Sequence, residues 1–285
     1  MQFIVFFPLT MFQPSLLESL YSEDLRRIFQ YLHGKDRLHA LDAFYASDDA
    51  SPHARIIEAC RDVHFNDLCE VDWMTNDYAI QLTKGMHSME LDNAKISDKY
   101  LQDLARFSHP HTMLLPYCST ISDVGVCALI GVRTVNLMCC EQLTDVGLRA
   151  LAGVEAINIS GCHNISDEGV KALAGVRAIY LEDCQQLTDD AIVALAGVQA
   201  IDLRVCSRIT DKSLQALRGV SSILLEDNEH ITDKGLEALA GVDTILLNKL
   251  PSITDNGIRA LAGVRVIEIR KCYKLTNDSL MAIAG

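Results

Sequence analysis

The sequence is short of several things, and each shortage excludes a class of protein. Its 285 residues hold one tryptophan, Trp73, and 25 lysines and arginines against 38 aspartates and glutamates, a formal net charge of −13. A surface so poor in positive charge suits neither nucleic acid nor an anionic membrane. No apolar run approaches the roughly 18 residues that a membrane-spanning helix needs. The apolar opening stretch Met1–Phe12 has no basic n-region and no small-residue cleavage site, and Pro8 interrupts it; it reads as a hydrophobic arm that docks on the helices after it. Catalytic signatures are missing too: there is no Gly-rich phosphate loop, no Gly-x-Ser-x-Gly and no His-Glu-x-x-His. His109-Pro110-His111 with Cys118 lacks zinc-site spacing and reads as loop surface. Neighbouring acids such as Asp189-Asp190 have no partner base fixed beside them. No catalytic residue, metal or cofactor is therefore expected.

What the chain does have is repetition. Val154–Leu173, Val176–Leu195 and Val198–Leu217 align column for column as Val-x-x-Ile-x-Ile/Leu-x-x-Cys-x-x-Ile/Leu-Ser/Thr-Asp-x-x-Ile/Val-x-x-Leu-Ala-Gly. The first strand position recurs at Met113, Val135, Ile157, Ile179, Ile201, Ile223, Ile245 and Ile267, every 22 residues. A fixed period of this size marks a stacked solenoid, because one copy buries too little apolar surface to fold alone and needs neighbours. Within a copy, Ala178–Glu182 alternates apolar and polar, the pattern of a short strand with one buried face. Ser or Thr followed by Asp, as in Thr188-Asp189, supplies a helix N-cap with an acid suited to the positive end of the helix dipole. Glycine, as at 131, 153 and 175, closes the short helix where a left-handed C-cap is expected. The fold class is α/β, a curved horseshoe of parallel strands and short helices in eight regular copies over residues 112–285, with degenerate copies over 63–111 and a helical region over 1–62.

Cys118, Cys140, Cys162, Cys184, Cys206 and Cys272 share one inward column, which Asn228 and Leu250 fill in the other copies. Stacked core thiols of this kind point to a reducing compartment, cytoplasmic or nuclear, and not to a disulfide framework. The spacing from Ile96 to Ile121 is 25 residues, and the extra length predicts a longer convex loop at Phe107–His111. The chain stops at Gly285 with no polar repeat over Ile267, Ile269, Leu275, Leu280 and Ile283, which reads as a truncated product. Trp73, in a divergent copy, reads as packing on the N-terminal helices.

These columns resemble the leucine-rich repeat, and the Cys-x-x-Leu/Ile-Thr-Asp-x-Gly-Leu form is similar to its cysteine-containing subclass, which is typical of the substrate-binding half of F-box proteins. Upstream, Leu20-Tyr-Ser-Glu-Asp-Leu25-Arg-Arg-Ile28-Phe29-Gln-Tyr31-Leu32, then Lys35-Asp36-Arg37-Leu38 and Leu41, resembles an F-box, with Tyr21 where that family has proline. The resemblance implies that Leu25, Ile28, Phe29 and Leu32 contact a Skp-family adaptor and, through it, a cullin in a ubiquitin ligase. The alternative reading keeps the same helices as a cap on a non-ligase scaffold.

Strand residues pointing away from the core would line the concave face and are free to vary. Tyr180, Leu224 and Leu246 offer apolar contact; Glu182, Asp183, Asp202, Glu226 and Asp227 place acid in the middle, with Arg204 among them; Lys249, Arg270 and Lys271 place base at the C-terminal end. An apolar or aromatic anchor with a polar surround is the composition of a protein interface, so a protein partner is expected there.

Overall fold

The computed structural model describes residues 88–91 and 96–283. Leu25, Ile28, Phe29, Leu32, the opening arm, Trp73 and the degenerate copy at Met74–Leu82 lie outside those residues. Among the described residues nine strands form one parallel sheet in strict chain order: β1 Ser88–Glu90, β2 Thr112–Leu114, β3 Thr134–Asn136, β4 Ala156–Asn158, β5 Ala178–Tyr180, β6 Ala200–Asp202, β7 Ser222–Glu226, β8 Thr244–Asn248 and β9 Val266–Arg270. From β2 onward the register advances by one repeat per strand, so that Ile157, Ile179, Ile201, Ile223 and Ile245 stand side by side. These residues are 1% exposed or less, and with Leu181, Leu203, Leu225 and Leu247 they form a continuous core. The last row is less covered: Ile267, Ile269 and Leu275 are only partly buried.

Each strand is followed by a helix on the opposite side: α1 Asp98–Ser108, α2 Asp123–Val126, α3 Asp145–Ala150, α4 Asp167–Lys171, α5 Asp189–Ala194, α6 Asp211–Ala216, α7 Asp233–Glu237, α8 Asp255–Arg259 and α9 Asn277–Ile283. In α1 through α8 a Ser or Thr caps the helix by accepting a backbone N–H, as Ser97 does from Tyr100 and Thr188 from Asp190. The period-2 pattern predicts five-residue strands throughout, but only β7, β8 and β9 have five; β1 to β6 have three. Beyond the third residue the backbone bonds continue outside regular strand, as from Leu181 N–H to the Asp202 carbonyl at 2.9 Å and Asp183 N–H to the Arg204 carbonyl at 3.0 Å. The longer loop expected at Phe107–His111 is also corrected. Residues 106–108 extend α1 to 11 residues, and His109 ends it in the left-handed region at φ 49°.

The aspartate that opens each of α1 to α8 has a second task. Asp145 Oδ1 accepts the Ser166 N–H at 2.8 Å, and Asp145 Oδ2 accepts the Ser166 hydroxyl at 2.6 Å, so one copy's acid holds the next copy's cap. The same pair of bonds joins Asp98 to Ser122, Asp123 to Thr144, Asp167 to Thr188, Asp189 to Thr210, Asp211 to Thr232, Asp233 to Thr254 and Asp255 to Thr276. The clamp leaves little room beside it: a Cβ at Gly169 would collide with the Asp145 carboxylate, and one at Gly147 with Asp123. Where the column is not glycine it holds another small residue, Ala191, Ser213 or Ser279, and Ser213 donates its hydroxyl to Asp189 Oδ1 at 2.5 Å.

The cysteine column makes the matching joint on the strand side. Each thiol donates to a carbonyl of the preceding copy, Cys140 to Leu115 at 3.2 Å and Cys206 to Leu181 at 3.1 Å. Asn228 reproduces that bond to Leu203 at 2.9 Å and adds one to Cys206 at 3.0 Å, but its own side-chain oxygen is buried without a donor. The described cysteines are free thiols, and burial pushes Cys162 and Cys206 up to about 12. Such thiols stay protonated and inert as core residues.

Candidate protein interface

Three rows of side chains run across the strands on the concave side. The first is Leu114, Asn136, Asn158, Tyr180, Asp202, Leu224, Leu246 and Glu268, fixed side by side by the strand register. The second begins two residues on, with Glu182, Arg204, Glu226, Asn248 and Arg270 across the last five strands. The third is a column in which the chain turns through positive φ: Tyr117, Cys139, Gly161, Asp183, Val205, Asp227, Lys249 and Lys271, all between 49° and 69°. Left-handed backbone is ordinary for glycine and tolerable for aspartate, but costs a β-branched residue such as Val205. Each of these residues up to Lys249 sends its N–H to the next copy's carbonyl, as Val205 does to Glu226 at 2.7 Å, and that bond fixes the turn.

From β2 to β4 the three rows contain no charged side chain: they hold Leu114, Pro116, Tyr117, Asn136, Met138, Cys139, Asn158, Ser160 and Gly161. Asn136 and Asn158 turn their side-chain oxygens back onto the N–H two residues on, at 3.0 and 2.9 Å. From β5 onward the wall is charged. Asp202 takes the same turn as the asparagines, accepting Arg204 N–H at 3.0 Å, and its carboxylate also receives Arg204 Nε at 2.9 Å and Nη2 at 2.6 Å. Arg204 Nη2 reaches across to Glu182 Oε2 at 2.7 Å. Asp202 is thereby only 2% exposed, and its role is to hold Arg204 rather than to face solvent. Lys249 Nζ lies 2.7 Å from Asp227 and 3.4 Å from Glu226, and Arg270 pairs with Glu268 on its own strand.

The field over β5 to β7 is negative, because five carboxylates face two cations, Arg204 and Lys249. Burial raises the Glu182 carboxyl above its ordinary value; Arg204 opposes the shift, while Asp202, Glu226 and Asp183 add to it. Hydrogen bonding to Asp202 raises Arg204, and hydrogen bonding to Asp227 raises Lys249. The same field reaches β3: after burial, Asp183, Glu141 and Glu182 push the Cys139 thiol up.

The structure thus brings Tyr180, Glu182, Asp183, Arg204, Leu224, Glu226, Asp227, Leu246 and Lys249 together on one wall, with Arg270 and Lys271 at its end. Tyr180 is 42% exposed, and Leu224 and Leu246 are half-buried. One residue escapes sequence reasoning, and another, Asn248, is legible as a concave residue but not in its depth. Tyr117, exposed in the left-handed column, is visible only as a 22-residue echo of Asp183 and Lys249. Asn248 is nine-tenths buried between Glu226 and Arg270, and its side-chain oxygen has no donor among the described residues. Elsewhere, Cys118 is buried and donates to the Leu91 carbonyl at 3.1 Å, apart from the exposed His109 and His111. No group of three or more potential metal-binding side chains occurs among the described residues, and no described helix is long and apolar enough to cross a membrane.

Residues 132–152, 154–174 and 224–240 match the model of the Leucine Rich repeat family. No curated protein matches the chain significantly. An internalin (InlF) from Listeria monocytogenes strain 4b F2365 shares the fold at TM-score 0.60 and 16% identity, over 90% of this chain and 74% of the internalin. TLR13, solved in complex with ssRNA13, superimposes at TM-score 0.58 and 13% identity over 77% of this chain; the chain spans about a third of that receptor's length, 34%.

Proposed function

We propose that this leucine-rich-repeat chain is a recognition subunit that holds a protein partner against its concave wall. The observation behind the reading is the wall itself: in a molecule whose core and clamp columns barely vary, the row Asn158, Tyr180, Asp202, Leu224 changes chemistry at every step while staying in register. Variation confined to an aligned row facing away from the core is what a binding surface needs, and the carboxylates of β5 to β7 disfavour a nucleic-acid ligand.

The finer role is substrate recognition for a ubiquitin ligase, with Leu25, Ile28, Phe29 and Leu32 on a Skp-family adaptor that links to a cullin. Its support is the F-box resemblance of Leu20–Leu41. Affinity purification of the full chain from lysate tests both levels. Recovery of adaptor and cullin that is lost in Leu25→Asp supports the ligase role, whereas partners retained without adaptor leave a binding scaffold with a helical cap. Replacing both Tyr180 and Leu224 by arginine should abolish partner recovery while the fold, read by circular dichroism, is kept; undiminished recovery would remove the concave face from consideration.

A further inference from the structure

The concave wall has a direction, set by the change from acid to base along it. Over β5 to β7 it presents Glu182, Asp183, Glu226 and Asp227 against Arg204 and Lys249, and Asp183 has no ion pair among the described residues. Two strands further on, Lys271 is exposed without an ion-pair partner among the described residues, and Arg270 beside it is paired only to Glu268. Between the two zones lies the apolar step of Leu224 and Leu246. Beside that step is Asn248, buried and flanked by Glu226 and Arg270 in the second row.

We infer that the partner is engaged through an extended segment lying across the strands, with a lysine or arginine over the acidic zone, an apolar side chain on Leu224 and Leu246, and an aspartate or glutamate over Arg270 and Lys271. This rests on the reading of the concave wall as the binding face. The spacing follows from strand geometry. Neighbouring strands lie about 4.8 Å apart, so the centre of the acidic zone near β6 stands roughly 14 Å from β9, the reach of about four residues of extended chain at ~3.4 Å each. Residues four apart in an extended segment point the same way, as does the residue midway between them. The recognition pattern is therefore basic, any, apolar, any, acidic. The guanidinium or ammonium is drawn by the net negative charge of Glu182, Asp183, Glu226 and Asp227, which exceeds that of Arg204 and Lys249. Potentials matched in this way fix register and reject segments of uniform charge.

The test is selection of phage-displayed random heptapeptides on the full-length protein, followed by fluorescence anisotropy with one synthetic peptide from the enriched set. Enriched peptides should hold opposite charges four positions apart, in either order, around an apolar residue. Glu182→Gln with Glu226→Gln should weaken the synthetic peptide tenfold or more. Arg270→Glu with Lys271→Glu, both exposed positions, should redirect selection to peptides basic at both ends. Failure to enrich any peptide overturns the inference, as does enrichment without the charge pair or without the redirection. If such other peptides are still lost in Leu224→Asp, the concave-face reading survives and only the charge pattern falls. If they bind every concave variant equally, both readings fall.

Discussion

The cap side of each copy and its concave side are built from the same repeating unit, yet the first repeats its chemistry from α1 to α8 while the second passes from asparagine at β3 and β4 through tyrosine and aspartate to leucine and glutamate. On the cap side, Asp, Ser or Thr and a small residue are locked to one another across copies, and a substitution in one breaks the geometry of two. On the concave side a side chain answers mainly to solvent and to one or two neighbours, so tyrosine, aspartate and leucine follow one another in a single row. Constraint between copies produces uniformity, and its absence leaves room for specificity.

The largest effect should come from crowding the clamp. Gly169→Val puts a branched side chain onto the Asp145 carboxylate and should cost about 3 kcal/mol, from overpacking together with the displaced bonds to Ser166, read as a shift in the urea midpoint. Asp145→Ala, which frees a cap N–H and hydroxyl without overpacking, should cost about 2–3 kcal/mol. Removing a charge on the concave side with Asp183→Asn, which keeps a residue suited to φ 57°, should lie within about 0.5 kcal/mol of the parent, and a loss as large as that of Asp145→Ala would erase the distinction drawn here. Arg204→Ala falls between: it leaves Asp202 buried with only a backbone N–H, and a loss of about 2 kcal/mol that disappears in the Arg204→Ala, Asp202→Ala pair would show that Asp202 belongs with the structural residues despite its concave position.

Acid sharpens the contrast further. Burial would raise the Asp189 carboxyl, but hydrogen bonds from Ser213 and Thr210 and the charge of Lys212 outweigh it, so its value in the folded protein is below the ordinary one. A depressed carboxylate contributes stability that is fully present above the unfolded value, about 3.9, and is lost as pH falls through the folded one. Glu182, raised in the fold, has the opposite sign: its ionisation opposes folding around and above the ordinary carboxylate range. Carboxyl NMR titration should therefore find Asp189 below and Glu182 above an ordinary aspartate or glutamate, and Ser213→Ala should move Asp189 upward and leave Glu182 in place. The smallest change expected is a gain. Val205→Asn, which suits φ 59°, should stabilise by about 0.5–1 kcal/mol, seen as a small rise in Tm.

The horseshoe, the inward Met113-to-Ile267 column and the concave row were legible in the sequence because each answers to a fixed period: a core position that slipped by one residue would leave the core. The aspartate clamp was legible only in part. Asp145 beside Thr144 looks like a helix-dipole acid until the fold shows that its partner, Ser166, is 21 residues ahead. The length of α1 was misread because three extra residues fit either a loop or another helical turn, and local sequence at Arg106–Ser108 does not separate the two. Asp202 was read as surface because period-2 alternation assigns a face and not a depth; Arg204 folding over it decides that. The donor missing at Asn248 has no sequence signature, since it depends on which neighbours fail to reach it.

The clamp also bears on how the molecule yields to force. Every aspartate grips only the coil after it, so no bond of that kind spans two joints. Stretched from its termini, the solenoid should peel one coil at a time, each release lengthening the tether by up to 22 residues of contour, roughly 75 Å at ~3.4 Å per residue. Joints flanking Gly169 and Ser213 should let go at different tensions, because only the second has an added hydroxyl on its carboxylate.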